Sequence, residues 1–246
     1  MSDRQGIPMG ILEKDYALTS LLSVIANFPK LSSLAFKGGT ALKKMYFEDF
    51  RFSEDLDFAC LEDVSDKFCN FIQDRMGELG VQFTEVANKE RRSESFKFKI
   101  RYMQFNGRAT SVKVDLSLRK DIVTKTSARQ VRHPYGTLPR PFSVNTMSLE
   151  EIMAEKVRAV LYSKHPRHLY DLAFLYDHNV RLNPGMVRLK IKSVYEDEFH
   201  MDRFKEVVLE QEGLWTRDLQ PLLKHKLPPF ATVSEKMLEM VGSAMS

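Results

Sequence analysis

The chain has 246 residues, 43% hydrophobic and 28% charged, which reads as a globular, soluble protein of one large domain or two small ones. No apolar run approaches a bilayer span and the N-terminus lacks a signal-peptide pattern, so membrane insertion and secretion are set aside and a cytoplasmic protein is expected. The net charge of +4 is modest, and the two cysteines, Cys60 and Cys69, offer neither metal-ligand spacing nor a disulfide framework.

Residues 7–28 space Ile11, Leu12, Ala17, Leu18, Leu21, Leu22 and Ile25 for an amphipathic helix that ends near Pro29. Within it, Glu13-Lys14-Asp15-Tyr16 reads as a charged helix face without a catalytic role. Leu34-Ala35-Phe36 reads as a buried strand, followed by Gly38, Gly39 and Thr40 and a helical segment with Ala41, Leu42 and Met45. Two residues without Cβ permit a sharp turn and close approach of a ligand. The helix start beyond them presents N–H groups and a positive dipole end to a phosphate. Thr40 is placed to cap that helix or to meet a phosphate oxygen. Taken alone, such a turn is also an ordinary structural connection.

From Phe50 to Phe58, apolar Phe50, Phe52, Leu56 and Phe58 alternate with Arg51, Ser53, Asp55 and Asp57, with Glu54 as the exception. On a strand those four polar residues share one face. Asp55 and Asp57 repel each other unless a cation holds both charged, and hard oxygen donors on a strand suit Mg²⁺. A solvated strand face produces the same alternation.

Residues 64–79 read as a helix closed by Gly80, residues 81–86 as a strand, and residues 88–94 as a charged turn. Phe96, Phe98, Ile100 and Tyr102 then alternate with Lys97, Lys99 and Arg101, cations that either solvate an edge strand or line an RNA path. Asn106-Gly107 predicts a hairpin turn. On the returning strand Val112, Val114, Leu116 and Leu118 leave Asp115 an isolated acid on the polar face. If that strand lies beside Asp55 and Asp57, three carboxylates converge, as two-metal phosphoryl transfer requires.

Residues 119–140 hold six basic residues against one acid and read as a long irregular arm, either a solvated loop or a contact for triphosphate or a nucleic acid backbone. From Ser148, a capping-box start, the chain turns helical. Lys156 occupies the apolar stripe Leu149, Ile152, Met153, Val160, so its ammonium should face phosphates or a carboxylate unless it snorkels outward. Asp171, on a helix over residues 166–177, has Arg167 four residues earlier as an ordinary partner. Asn183-Pro184-Gly185 reads as a helix-breaking turn, with further helices over 186–195, 201–209, 215–224 and 233–245.

The segments GGTALKK, RFSEDLD, AEKVRAVL and RHLYDLAFL together resemble the motifs of the AbiEii/AbiGii toxin family, a branch of the DNA polymerase β-like nucleotidyltransferase superfamily. Gly39-Thr40 stands where many relatives carry Gly-Ser, which keeps the hydroxyl. The resemblance implies an α+β fold: a nucleotidyltransferase mixed-sheet domain over residues 1–145, then a C-terminal helical bundle over 146–246 that contributes Lys156 and Asp171 to the cleft. It implies that Asp55, Asp57 and Asp115 bind Mg²⁺, or Mn²⁺ in its stead, and that Gly38, Gly39, Thr40 and Ser53 hold the triphosphate of an NTP beside Lys156. The implied reaction moves a nucleoside monophosphate to an RNA acceptor, the 3′ end of a tRNA being the expected one, in a toxin countered by a cognate antitoxin protein. Two rivals remain at this level: a metal-dependent phosphohydrolase or nuclease, and a catalytically silent RNA-binding protein.

Overall fold

The computed structural model describes residues 7–139 and 141–246, and the chain divides after Met147 into two compact units. The first unit opens with helix α1 (Met9–Ile25), whose Leu18, Leu21, Leu22 and Ile25 are wholly buried. Strand β1 (Leu34–Lys37) leads into a short helix, α2 (Gly38–Ala41), which continues as a π turn over Leu42–Tyr46. Strand β2 (Asp55–Cys60) and helix α3 (Ser65–Arg75) follow. The remaining strands are β3 (Phe83–Arg92), β4 (Ser95–Met103), β5 (Ala109–Ser117), β6 (Ser127–Gln130) and β7 (Ser143–Thr146).

Among the described residues these strands form one seven-stranded sheet in the order β3-β4-β5-β2-β1-β7-β6. The β2–β5 and β1–β7 pairings are parallel and the other pairings antiparallel, so the sheet is mixed. Register sets Phe36, Phe58, Leu116 and Phe96 in one row across β1, β2, β5 and β4, all buried. Phe68 of α3 packs on this face, its ring 5.4 Å from that of Phe58 and 6.5 Å from that of Phe98. Period-two alternation therefore leaves Lys37, Asp55, Asp57, Lys97, Lys113 and Asp115 on the opposite face. Cys60 and Cys69 are both free and buried, and burial pushes the Cys60 thiol up to about 12, so each serves as a small apolar filler.

Several boundaries differ from those the pattern predicts. The strand expected from Phe50 begins only at Asp55, because the Phe50 carbonyl accepts from Lys43 Nζ (2.9 Å) and the Phe52 carbonyl from Arg51 Nη1 (2.9 Å), not from a neighbouring strand. The charged turn expected at residues 88–94 is mostly strand. β3 runs to Arg92 through a register shift between Ala87 and Glu90, where Asn88 takes a left-handed φ of 52°. β4 is therefore an interior strand and not an edge, and Arg101 pairs with Glu85 of β3 at 2.8 Å. The arm is likewise less irregular than its composition implies, since β6 pairs with β7; all four β6 residues are exposed, so no hydrophobic period announces the strand. Arg140, the last basic residue of that stretch, lies outside the described residues.

The second unit is helical: α4 (Leu149–Ser163), α5 (Pro166–Asp177), α6 (Pro184–Tyr195), α7 (Met201–Leu209), α8 (Glu212–Leu219) and α9 (Phe230–Met245). Ser148 caps α4 by accepting from the Glu151 N–H at 3.3 Å. Asn183 caps α6 in the same way at 3.1 Å with Pro184 in the first turn, so the expected breaker is a helix start. No helix among the described residues is long and apolar enough to cross a membrane.

This unit buries charge. Lys190 and Glu151 are wholly inaccessible and pair at 2.7 Å, with Glu155 3.5 Å from the same ammonium. A buried ion left without its partner is costly, whereas replacing both members by apolar groups is often neutral. Lys190→Met should therefore lower unfolding stability by about 3–5 kcal/mol in urea titration. The double variant Lys190→Met/Glu151→Leu should recover most of that loss; equal stability of the single variant and the wild type would contradict this account.

Candidate active site

The Gly-Gly turn is built around the absence of side chains. Gly38 adopts φ +76°, a left-handed conformation that L side chains rarely take. A Cβ placed there would also collide with Asp57 Oδ2 and lie 3.1 Å from Asp57 Cγ. The backbone thus approaches the Asp57 carboxylate as closely as it can, which follows from the antiparallel pairing that sets Lys37 opposite Asp57. A Cβ on Gly39 would sit 2.9 Å from Arg51 Nη2 and 3.0 Å from Ser53 Oγ. The turn therefore gathers Arg51, Ser53 and Asp57 around it, although Arg51 and Ser53 precede the strand. No side chain caps this helix, and Thr40 Oγ1 donates to the Asp55 carbonyl at 2.5 Å, tying the turn to the start of β2.

Three expected carboxylates share one sheet face. Parallel pairing of β2 with β5 sets Asp57 directly beside Asp115 and Asp55 beside Lys113. A row of Lys37, Asp57, Asp115 and Lys97 then crosses β1, β2, β5 and β4, two acids flanked by two cations. Asp115 Oδ2 lies 3.1 Å from Lys97 Nζ and 3.8 Å from Lys113 Nζ. With Asp115 turned to these lysines, no group of three His, Cys, Asp or Glu side chains among the described residues is arranged to hold a metal ion. The donors still suit a divalent cation in kind: hard carboxylate oxygens, half-buried, on one face, with two like charges side by side. Lys97, expected either on the solvated face of an edge strand or along an RNA path, is a neighbour of this group.

Lys156 and Asp171 meet inside the helical unit. Lys156 Nζ lies 2.6 Å from Asp171 Oδ2, with side-chain exposures of 7% and 0%. Of the anions expected for Lys156, the structure supplies a carboxylate, and Asp171 pairs with this lysine of α4.

The Glu13-Lys14-Asp15-Tyr16 stretch is more than a charged helix face. Glu13 and Asp15 are buried. Glu13 accepts from Gln104 Nε2 and from the Phe105 N–H, both at 2.9 Å, while Asp15 accepts from Lys44 and Tyr135. Such burial is invisible in a helical pattern, because the partners lie far along the chain.

The model of one protein family, described as the nucleotidyl transferase AbiEii toxin of a type IV toxin–antitoxin system, matches residues 20–236. The chain belongs to this AbiEii nucleotidyltransferase toxin family. Among solved structures, JHP933 from Helicobacter pylori superposes with a TM-score of 0.61 at 18% identity, over 97% of this chain and 93% of that one. MenT4, a nucleotidyltransferase toxin from Mycobacterium tuberculosis, superposes with a TM-score of 0.67 at 19% identity, over 92% and 81%. At these identities the two structures speak to the fold. No curated protein sequence matches.

An AbiEii enzyme whose turn is built in this way should not tolerate a methyl group at Gly38. Gly38→Ala meets both the Asp57 collision and the left-handed φ. It should lose nucleotide transfer by at least about a hundredfold, roughly 3 kcal/mol. Gly39→Ala, which presses only on side-chain ends, should lose less; Gly38→Ala at wild-type rate would contradict the apposition described here.

Proposed function

We propose that this AbiEii-family nucleotidyltransferase transfers a nucleoside monophosphate from an NTP to an RNA acceptor, at a site formed by the Gly38–Gly39 turn and the Asp55, Asp57 and Asp115 face. The observation that carries the reading is the register of β2 on β5, with Asp57 beside Asp115 and Gly38 against Asp57. The backbone of Gly38 and Gly39 receives the triphosphate, and the missing Cβ atoms let Asp57, Arg51 and Ser53 close in around that turn. Ser53 and Arg51 contribute donors beside Gly39. Asp55, Asp57 and Asp115 are the residues that would hold Mg²⁺ or Mn²⁺. A cation so held supplies charge neutralisation on the phosphates and lowers the repulsion between adjacent carboxylates. Asp115, on the neighbouring strand, takes the proton of the attacking hydroxyl. That hydroxyl attacks the α-phosphorus, its oxygen replaces the bridging oxygen to the β-phosphate, and pyrophosphate leaves. Lys156, oriented by Asp171, is required for the same step, as is usual for cations that offset developing phosphate charge.

The acceptor reading rests on the arm. Lys120, Lys125, Arg129 and Arg132 add positive charge beyond β5, and β6 exposes all four of its residues. The 3′ end of a tRNA is the acceptor we favour and the cytoplasm the setting, and the toxin family supports an antitoxin partner.

The test incubates the protein with each NTP labelled at the α-phosphate, Mg²⁺ and total RNA. Label should pass to RNA in the wild type, and Asp57→Asn should abolish transfer with an unchanged circular dichroism spectrum. Lys156→Ala should reduce transfer by at least about a hundredfold. Undiminished transfer by Asp57→Asn would remove this carboxylate from the chemistry, and label released only as free nucleotide would favour a phosphohydrolase.

A further inference from the structure

The short helix behind the Gly-Gly turn is clamped by two consecutive buried lysines that point to different anchors. Its last segment is a π turn, closed by the Phe47 N–H on the Leu42 carbonyl at 2.9 Å. That wider turn is uncommon and tends to occur where function requires a particular side-chain direction. Lys43 Nζ donates to the Phe50 carbonyl at 2.9 Å and lies 4.2 Å from the Phe52 ring, which fixes the helix to the segment entering β2. Lys44 turns the other way and pairs with Asp15 Oδ2 at 2.7 Å, with 2% and 4% of the two side chains exposed. Tyr135 Oη donates to the same Asp15 oxygen at 2.6 Å, and the Lys44 ammonium stands 5.6 Å from the Tyr135 ring centre.

The same helix end also carries the basic arm. The Arg132 N–H donates to the Lys44 carbonyl at 2.8 Å and Arg132 Nη1 to the Tyr46 carbonyl at 3.1 Å. The Arg129 guanidinium lies 4.3 Å from the Tyr46 ring. From α1, Tyr16 meets Thr137 at 3.1 Å and packs edge-on against Tyr135. Asp15 is thus the point where α1, the helix of the Gly-Gly turn and the arm are joined by charge. Such a buried pair adds little net stability over apolar packing, but it holds its partners in one geometry.

We infer that Asp15 is a positioning residue of the nucleotide site, which through Lys44 and Tyr135 sets the placement of the Gly38–Gly39 turn against the basic arm. It touches no reacting atom, and the inference rests on the reading that this turn receives the triphosphate. Asp15→Asn removes the charge that holds Lys44, so the turn loses its fixed placement and ground-state nucleotide binding suffers before chemistry does.

Three variants of the full chain decide the matter: Asp15→Asn, Tyr135→Phe, and Phe68→Leu as a core truncation on the apolar sheet face, opposite the carboxylates. The readouts are affinity for trinitrophenyl-ATP, KM and kcat for an α-labelled NTP, and the melting temperature. Asp15→Asn should weaken trinitrophenyl-ATP binding and raise KM by about tenfold while kcat stays within about threefold, and Tyr135→Phe should do the same to a smaller extent. Phe68→Leu should melt lower with affinity and KM unchanged. Wild-type affinity and KM in Asp15→Asn would overturn the inference, as would an equal loss in Phe68→Leu. If Asp15→Asn does not fold, Tyr135→Phe decides alone: a raised KM supports the inference and an unchanged KM overturns it. A wild-type protein that binds no trinitrophenyl-ATP overturns the nucleotide-site reading itself, an outcome distinct from a variant that merely behaves like the wild type.

Discussion

The register of β2 against β5 is the constraint on which the rest depends. Because side chains alternate across a strand, a slip of one residue would carry Asp57 to the packed face and Leu56 or Phe58 to the polar one. The buried row of Phe36, Phe58, Leu116 and Phe96 forbids that slip, and so the apolar face of the sheet dictates where the acids on the other face stand. Two carboxylates side by side are an unfavourable arrangement in a folded protein. Lys37 and Lys97 at the ends of the row offset it in part, and Lys97 does so by a direct pair with Asp115. The fold thus uses hydrophobic packing on one face of the sheet to hold these charges in a row on the other.

The turn above that row shows a second use of packing. Gly38 has no room for a side chain because Asp57 occupies the place a methyl group would take. Thr40 fastens the turn to β2, Lys43 fastens the following helix to the entry of β2, and Lys44 fastens it to Asp15. Buried polar groups need partners, and Asp55, Phe50 and Asp15 all lie outside the helix they anchor. The helical unit repeats the habit with Lys156–Asp171 and Lys190–Glu151. Such pairs are weak evidence for stability, because apolar packing of similar volume often does as well.

Much of this was legible in the sequence, for reasons that can be stated. Asp57 and Asp115 stand out because apolar residues flank each of them in alternation, which fixes a side chain's face without knowledge of its neighbours. The capped start of α4 and the apolar stripe that contains Lys156 are also local signals. What was hidden depended on distant chain. Arg51 and Ser53 reach Gly39 from outside any strand, so period-two reasoning placed them on the right side of the chain by the wrong element. β6 has no buried face to mark it, and the second half of β3 looked like a turn because its residues are charged and a bulge interrupts its period. Asp15 is the clearest case: its partner Tyr135 lies 120 residues away, and no helical pattern distinguishes a solvated acid from one buried against such a partner. Chemistry carried on a regular element can be read from its period, whereas chemistry assembled from loops requires the fold.

The most direct measurement of the central claim follows the two ends of the nucleotide separately, with NTP labelled at the α-phosphate in one reaction and at the γ-phosphate in a parallel one. Nucleotidyl transfer at the carboxylate row predicts α-label on the RNA acceptor and γ-label in pyrophosphate, in equal amounts. Label from the γ-phosphate on the acceptor, or as free inorganic phosphate with no α-label transferred, would contradict it.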